Sequence, residues 1–363
     1  MHRLLWIGGA VLVVAIAALA AWMWHAMMGP MYQPGNVRAG KDVAGPLTPA
    51  GASAERWLVA PGIELHHFEE GAGTPILVIH GGPGFPPAGP WRAGTLLGKD
   101  YRLIYYHQRG CGLSSRPIAR FSGSNMYANM QLANRTLGLP AQVADIERIR
   151  RILGADKLVL MGHSFGALLA ALYAAEFPEH VAASIYVAPA DLTVLPNKEG
   201  DLFDLVRRRL SAELRPEFES YMAEYFDFRR AFQRSEEESG VFYGRFARFY
   251  GAAAGGAADA GAGAAAGGGV PQTGDVSAAG YEPLAVYCGM GKHHDYSAAL
   301  RAVTTPGLTI HGSLDMQPES VSRGFAARFP NCRFTQIDGA SHFVFEDRPE
   351  EFAGQVREFL KGI

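Results

Sequence analysis

Gly162-His163-Ser164-Phe165-Gly166 lies between a short apolar run, Lys157 to Met161, and an apolar-periodic run, Ala167 to Phe177, that stops before Pro178. The first has the length of a buried strand and the second the spacing of a buried helix. A serine with glycine two residues away on each side suits a sharp strand-to-helix turn, because glycine lacks the Cβ that would clash there. With 44 glycines in 363 residues the pentapeptide alone carries little weight, so its flanks must carry the case. They commit this part of the chain to a strand-turn-helix unit, with Ser164 lifted clear of the sheet as a candidate nucleophile.

The alternation extends along the chain. Pro75 to His80, Tyr101 to His107, Ala182 to Val187, Leu308 to His311 and Arg333 to Ile337 read as further strands, and Pro349 to Leu360 as a closing helix. This pattern predicts an α/β fold with a mostly parallel sheet and helices on both faces. Leu202 to Phe249 is charged, spotted with aromatics and helical in spacing, and reads as an inserted helical cap. Gly251 to Gly269 contains only Gly, Ala and Asp259, a composition that buries almost nothing and reads as a flexible loop. The expected organisation is an N-terminal transmembrane anchor or signal sequence over 1–28 and a Pro/Gly/Ala-rich linker over 29–55. A core over 56–190 and 295–363 follows, with a cap over 191–294 that includes the 251–269 loop.

Leu4 to Trp24 contains no ionisable side chain, and a helix rising about 1.5 Å per residue crosses the hydrocarbon core in roughly 20 residues. Arg3 and the N-terminal amine belong on the cytoplasmic side, which puts the body outside. The alternative is a cleaved signal peptide, since Ala18-Leu19-Ala20 resembles a cleavage site; the length of the apolar run favours the anchor. A net charge of -2 provides no general attraction to nucleic acid, and a nucleic-acid partner is not expected. Cys111, Cys288 and Cys332 include no C-x-x-C pair, which argues against a zinc site or a disulfide framework, allows at most one disulfide and favours three packing residues.

A serine hydroxyl needs a histidine base, itself oriented by a carboxylate. Downstream the chain offers Asp315, in His311-Gly312-Ser313-Leu314-Asp315, and His342, in Gly339-Ala340-Ser341-His342-Phe343, each just after a predicted strand. Asp191, after the preceding strand, is the rival acid, and Asp338 reads as a loop-shaping residue. His293 and His294 lack metal-ligand spacing and read as surface or cap residues. His80-Gly81-Gly82-Pro83-Gly84 follows the strand ending at Ile79, where glycines expose backbone N–H groups to a developing oxyanion. Gly82 and Phe165 are the natural donors.

These residues resemble the α/β-hydrolase fold and, more narrowly, the proline iminopeptidase family of serine peptidases. His80 to Gly84 matches that family's HGGPG loop, and His107-Gln108-Arg109-Gly110-Cys111-Gly112-Leu113-Ser114 resembles its D-Q-R-G-x-G-x-S segment. The order serine, acid, histidine is also that of α/β-hydrolases. The family usually has Gly-Gly-Ser-Trp-Gly at the nucleophile, where this chain has His163 and Phe165, and Asp where this chain has His107. Its Trp-x-x-Trp-Glu cap segment, whose glutamate holds the substrate's free amine, has its nearest local match in Phe246-Ala247-Arg248-Phe249-Tyr250, with Tyr250 at the acid position. Glu236, Glu237 and Glu238 lie nearby, but a charge run is usually a solvated face.

The resemblance implies a serine hydrolase acting through Ser164, His342 and Asp315, without metal or organic cofactor, on a small-molecule or short-peptide substrate. A proline-iminopeptidase-like exopeptidase is the first expectation, and an esterase or amidase for small apolar acyl groups is the second. A non-catalytic binding protein that retains the fold is the third.

Overall fold

The computed structural model describes residues 14–19, 29–40, 43–53, 55–197, 199, 201–254 and 279–363. Every predicted strand is present to within two residues at each end: β3 (Thr74–Ile79), β4 (Tyr101–Tyr106), β5 (Leu158–His163), β6 (Val181–Val187), β9 (Gly307–Gly312) and β10 (Cys332–Ile337). Two strands that sequence reading did not find, β1 (Arg56–Ala60) and β2 (Ile63–Gly71), form an antiparallel hairpin at one edge, turned at Pro61-Gly62. Among the described residues these build one eight-stranded sheet, ordered β1-β2-β4-β3-β5-β6-β9-β10, with all pairs from β4 onward parallel. A short ribbon of β7 (Val194–Leu195) and β8 (His294–Asp295) lies apart.

The central strands β5 and β9 are buried at every position, which is why they read as short apolar runs rather than alternating ones. One face is covered by the helices Leu139–Ile152 and Phe165–Glu176, the other by Arg92–Leu97 and Pro349–Leu360. The Phe165–Glu176 helix is buried at every position but Ala175, so its near-continuous apolar sequence is that of a central helix, not an amphipathic one.

Leu4 to Trp24 falls largely outside the described residues; among those described, no helix is long and apolar enough to cross a membrane. The expected linker is a spacer only in part, because its beginning is docked on the body. The Tyr32 hydroxyl and the Val37 and Arg38 N–H groups all donate to the Glu176 carboxylate, at 2.9, 3.3 and 3.1 Å, and Met31 N–H donates to Gly289 O.

The expected cap region contains the helices Leu202–Arg209, Arg215–Tyr225, Phe228–Ala231, Glu236–Gly244 and Phe246–Ala253, gathered around Phe203, Phe218, Tyr221, Phe242 and Phe249. The Glu236-Glu237-Glu238 run is not simply a solvated face. Ser235 and Glu238 form a reciprocal capping box, and Glu236 is buried against Arg116 at 2.8 Å. Gly251 to Ala253, read as the start of a loop, complete a helix; 255–269 lies outside the described residues. The Glu282–Met290 helix, counted with the cap, packs against the core helix Met126–Leu137. His294 is not a surface residue: its buried ring bridges Met290 O and Leu192 O at 3.1 and 2.9 Å. All three cysteines are free.

Buried charge fastens the 107–114 loop to the core. Asp145, fully buried, takes Arg109 Nε at 2.6 Å, a second Arg109 nitrogen, and Arg148 Nη1 at 2.8 Å. Removing the carboxylate takes the counter-charge from the buried Arg109 and an acceptor from Arg148, so Asp145→Ala is expected to cost about 3–5 kcal/mol in urea unfolding. Asp204→Ala, which breaks an exposed pair with Arg207, should cost no more than about 1 kcal/mol. Equal losses in the two variants would contradict this account of the loop.

Candidate active site

Ser164 sits at the C-terminal end of β5, between the sheet and the helix it precedes. Its φ of 54° and ψ of -118° lie in a region that non-glycine residues rarely occupy, and the surrounding backbone holds it there. Ser164 N–H donates to Val187 O at 2.9 Å, and Ser164 O accepts from Ala167 and Ala190. The two flanking glycines are set by close approach: a Cβ on Gly162 would strike the Gly166 carbonyl, and one on Gly166 would strike the Ile79 carbonyl. The pentapeptide pattern is therefore a consequence of three backbone segments meeting under the serine.

His342 and Asp315 converge from the loops after β10 and β9. Their contact, Nδ1 to Oδ2, is 2.9 Å, and Asp315 Oδ1 accepts Gln317 N–H at 2.9 Å, so both carboxylate oxygens are engaged. A carboxylate only accepts, so His342 carries its proton on Nδ1 and leaves Nε2 as the basic nitrogen. Ser164 and His342 line one cleft with Gly81, Gly82 and His163. Asp191 lines a different one, with Glu199, Asp295 and Arg328.

Gly82 has φ 122°, a conformation open to glycine, and among the described residues no acceptor takes the N–H of Gly82 or of Phe165. The orientation of the Gly81-Gly82 peptide is set by His80, a role the sequence reading missed. His80 Nε2 accepts Gln108 N–H at 3.1 Å, so Nδ1 carries the proton and donates to Gly81 O at 2.8 Å. Because a trans peptide points its C=O and N–H in opposite directions, pinning that oxygen turns Gly82 N–H the other way. His107, where the resembling family has Asp, ties Leu113 N–H and Pro87 O at 3.0 and 3.1 Å.

Burial separates the histidines electrically. Desolvation drives His80 down to about 4, His107 to about 3 and His163 well below its ordinary value, so all three are neutral at pH 7. Among these, His342 alone contacts a carboxylate.

The cleft has a volume of about 100 Å³, and its further lining includes Phe85, Phe203, Tyr225, Tyr243, Phe246, Tyr250 and Tyr287. Tyr250 is close to His342, the ring centroids 6.2 Å apart, and burial raises its hydroxyl pKa well above the usual value. Phe203, Tyr225, Tyr243 and Phe246 were legible as aromatic spots at helical spacing between Leu202 and Phe249, but nothing in that spacing tells a lining residue from a packing one. A hydroxyl, an imidazole with its Nδ1–H on a carboxylate, two backbone donors and an apolar cleft are the groups that acyl transfer requires.

A family model described as alpha/beta hydrolase fold matches residues 74–349. The proline iminopeptidase of Heyndrickxia coagulans is 24% identical over 322 residues, covering 83% of this chain and 96% of that protein. The proline iminopeptidase of Neisseria meningitidis is 37% identical over 123 residues, which are 32% of this chain and 35% of that protein. Among solved structures, a thermophilic esterase from Thermogutta terrifontis superposes with a TM-score of 0.52 at 21% identity, covering 88% of this chain and 99% of that one.

Proposed function

The chain belongs to the α/β-hydrolase fold family, and from that premise we propose that it is a serine hydrolase working through an acyl-enzyme on Ser164. In this reading Ser164 Oγ attacks the substrate carbonyl while His342 Nε2 takes its proton, and Asp315 steadies the imidazolium that results. The carbonyl oxygen, now negative, is received by the N–H groups of Gly82 and Phe165. His342 returns the proton to the departing alcohol or amine. Water, deprotonated by the same base, then releases the acid and restores Ser164. The observation that carries this reading is the 2.9 Å contact between His342 and Asp315 at the cleft that Ser164 lines.

For the substrate we favour an uncharged apolar or aromatic acyl group. No Asp, Glu, Lys or Arg lines the cleft among the described residues. Two buried acids of the expected cap region offer little free charge. Glu236 is held by Arg116 and by the N–H groups of Gly280 and Tyr281. Glu282 is fully buried and pushed up to about 8 by desolvation, so it is mainly protonated at neutral pH. Tyr250 supplies an aromatic face and a hydroxyl, which cannot balance an ammonium group. The second reading, a proline-iminopeptidase-like exopeptidase on short peptides, is favoured by the similarity that runs along 96% of the Heyndrickxia coagulans protein.

A matched substrate pair separates the two. The cyclopentanecarboxylate and proline esters of one leaving alcohol differ by a ring CH₂ in place of the charged amine. The cyclopentanecarboxylate ester is expected to show the higher kcat/KM, by about 10- to 100-fold, because the ammonium would enter the cleft without a charged partner. Preference for the prolyl ester, and for prolyl amides over acyl amides, would establish the exopeptidase reading instead. Export of the body, anchored through 4–24 or released after cleavage, is our reading of the N-terminal segment; fractionation of cells expressing the full chain tells the two apart.

A further inference from the structure

His163 stands where the resembling family commonly has glycine, and it is far from a filler. Its side chain leaves the end of β5 immediately before the nucleophile and is buried among Trp91, His342, Phe343 and Phe345, with ring centroids 6.2, 4.8, 5.4 and 5.0 Å away. Its Nε2 is 3.1 Å from the main-chain oxygen of His342. A carbonyl oxygen accepts and never donates, so Nε2 carries the ring proton. The opposite edge of the ring lies against the oxyanion loop, where a Cβ on Gly81 would come within 3.1 Å of His163 Nδ1. One imidazole thus touches the nucleophile's strand, the base's loop and the loop that bears Gly82.

The base loop has other ties, but they hold its neighbours. Ser341 is fixed to Asp347, Ala340 O accepts Leu314 N–H and Gly339 N–H donates to Ser313 Oγ. The side chain of His342 is tied to Asp315 through Nδ1 and lies against the rings of His163, Tyr250 and Phe343. Its main chain is tied through His163. We propose that His163 is a positioning residue: its Nε2–H holds the backbone of His342 at the distance from Ser164 at which the basic nitrogen can take the hydroxyl proton.

This rests on the serine hydrolase reading, and it gives a chemical pattern that bulk or stability alone would not. Glutamine places its amide nitrogen near the Nε2 position of histidine, asparagine near Nδ1, and leucine has no donor. With the donor lost, a base displaced by even about 1 Å is expected to lower kcat by about 10- to 100-fold, with KM within about 3-fold. His163→Leu and His163→Asn should both show that loss, while His163→Gln keeps kcat within about 5-fold of wild type. Wild-type activity in His163→Leu, or equal impairment in the Gln and Asn variants, would overturn the proposal.

Where the leucine variant does not fold, the Gln and Asn comparison carries the test, and a measurement on the unaltered protein stands beside it. In ¹⁵N-histidine-labelled wild type, His163 should remain the neutral Nε2–H tautomer from pH 5 to 9, because burial disfavours its charged form. The Nδ1–H tautomer, or titration in that range, would also overturn it. Failure of the serine hydrolase reading looks different: there Ser164→Ala keeps its activity whatever stands at position 163.

Discussion

Ser164→Ala is expected to abolish labelling by a fluorophosphonate and to lower kcat by about 10⁵- to 10⁶-fold, with little change in KM, because every bond-making step of the proposed reaction passes through that hydroxyl. The cleft retains the apolar lining that would bind the acyl group, so affinity for substrate survives the loss of the nucleophile. The backbone also has no reason to move. Alanine keeps the Cβ, and Ser164 N–H and C=O remain tied to Val187, Ala167 and Ala190. A folded variant that still takes the label would put the nucleophile elsewhere. A folded wild type that takes none would favour the third expectation, a binding protein on a hydrolase fold.

The turn at Ser164 was readable because its two glycines stand four residues apart and the strand and helix beside it are nearly pure apolar runs. Gly162 is kept free of a Cβ by the Gly166 carbonyl four residues on, and Gly166 by the Ile79 carbonyl at the end of the adjacent β3 strand. The β1–β2 hairpin was missed for the opposite reason. Its strands mix buried apolar residues with His66, His67, Glu69 and Glu70, so neither an apolar run nor a clean alternation marks them, and sheet membership comes from pairing with β4. Met31 to Arg38 looked like spacer because its ties run to Glu176 and Gly289, far along the chain.

The site divides the same way. Ser164, Asp315 and His342 stand out as candidates by residue type, order and placement after strands, and the structure brings Asp315 and His342 into contact and Ser164 and His342 into one cleft. What those residues depend on was hidden. His80 and His163 each act through a backbone carbonyl, and a carbonyl carries no sequence signature. Their common feature is burial that strips them of charge, so they can hold a fixed tautomer while His342, with its carboxylate, takes the proton in the proposed reaction. Three histidines within reach of one cleft would look interchangeable in sequence, and their surroundings divide the work.

The sharpest test of that division is Asp315→Asn, expected to lower kcat by about 10⁴-fold near pH 7 with the protein still folded. The wild-type carboxylate accepts from His342 Nδ1 and is itself steadied by Gln317 N–H. An asparagine there can turn its NH₂ toward Nδ1, which then accepts, moving the imidazole proton to Nε2. The nitrogen that should take the serine proton would be blocked, and the imidazolium formed during attack would lose its counter-charge. Raising the pH increases hydroxide but cannot restore the tautomer, so the variant's rate should climb with pH beyond the point where wild type levels off. Asp191→Asn serves as the comparison, since Asp191 lines a cleft with Glu199, Asp295 and Arg328 that shares no residue with the one around Ser164. Its activity should stay within about 2-fold of wild type, as for a substitution away from the reacting groups. The reverse outcome, with Asp191→Asn inactive and Asp315→Asn near wild type, would transfer the role of the acid to Asp191 and leave the His342–Asp315 contact a structural one.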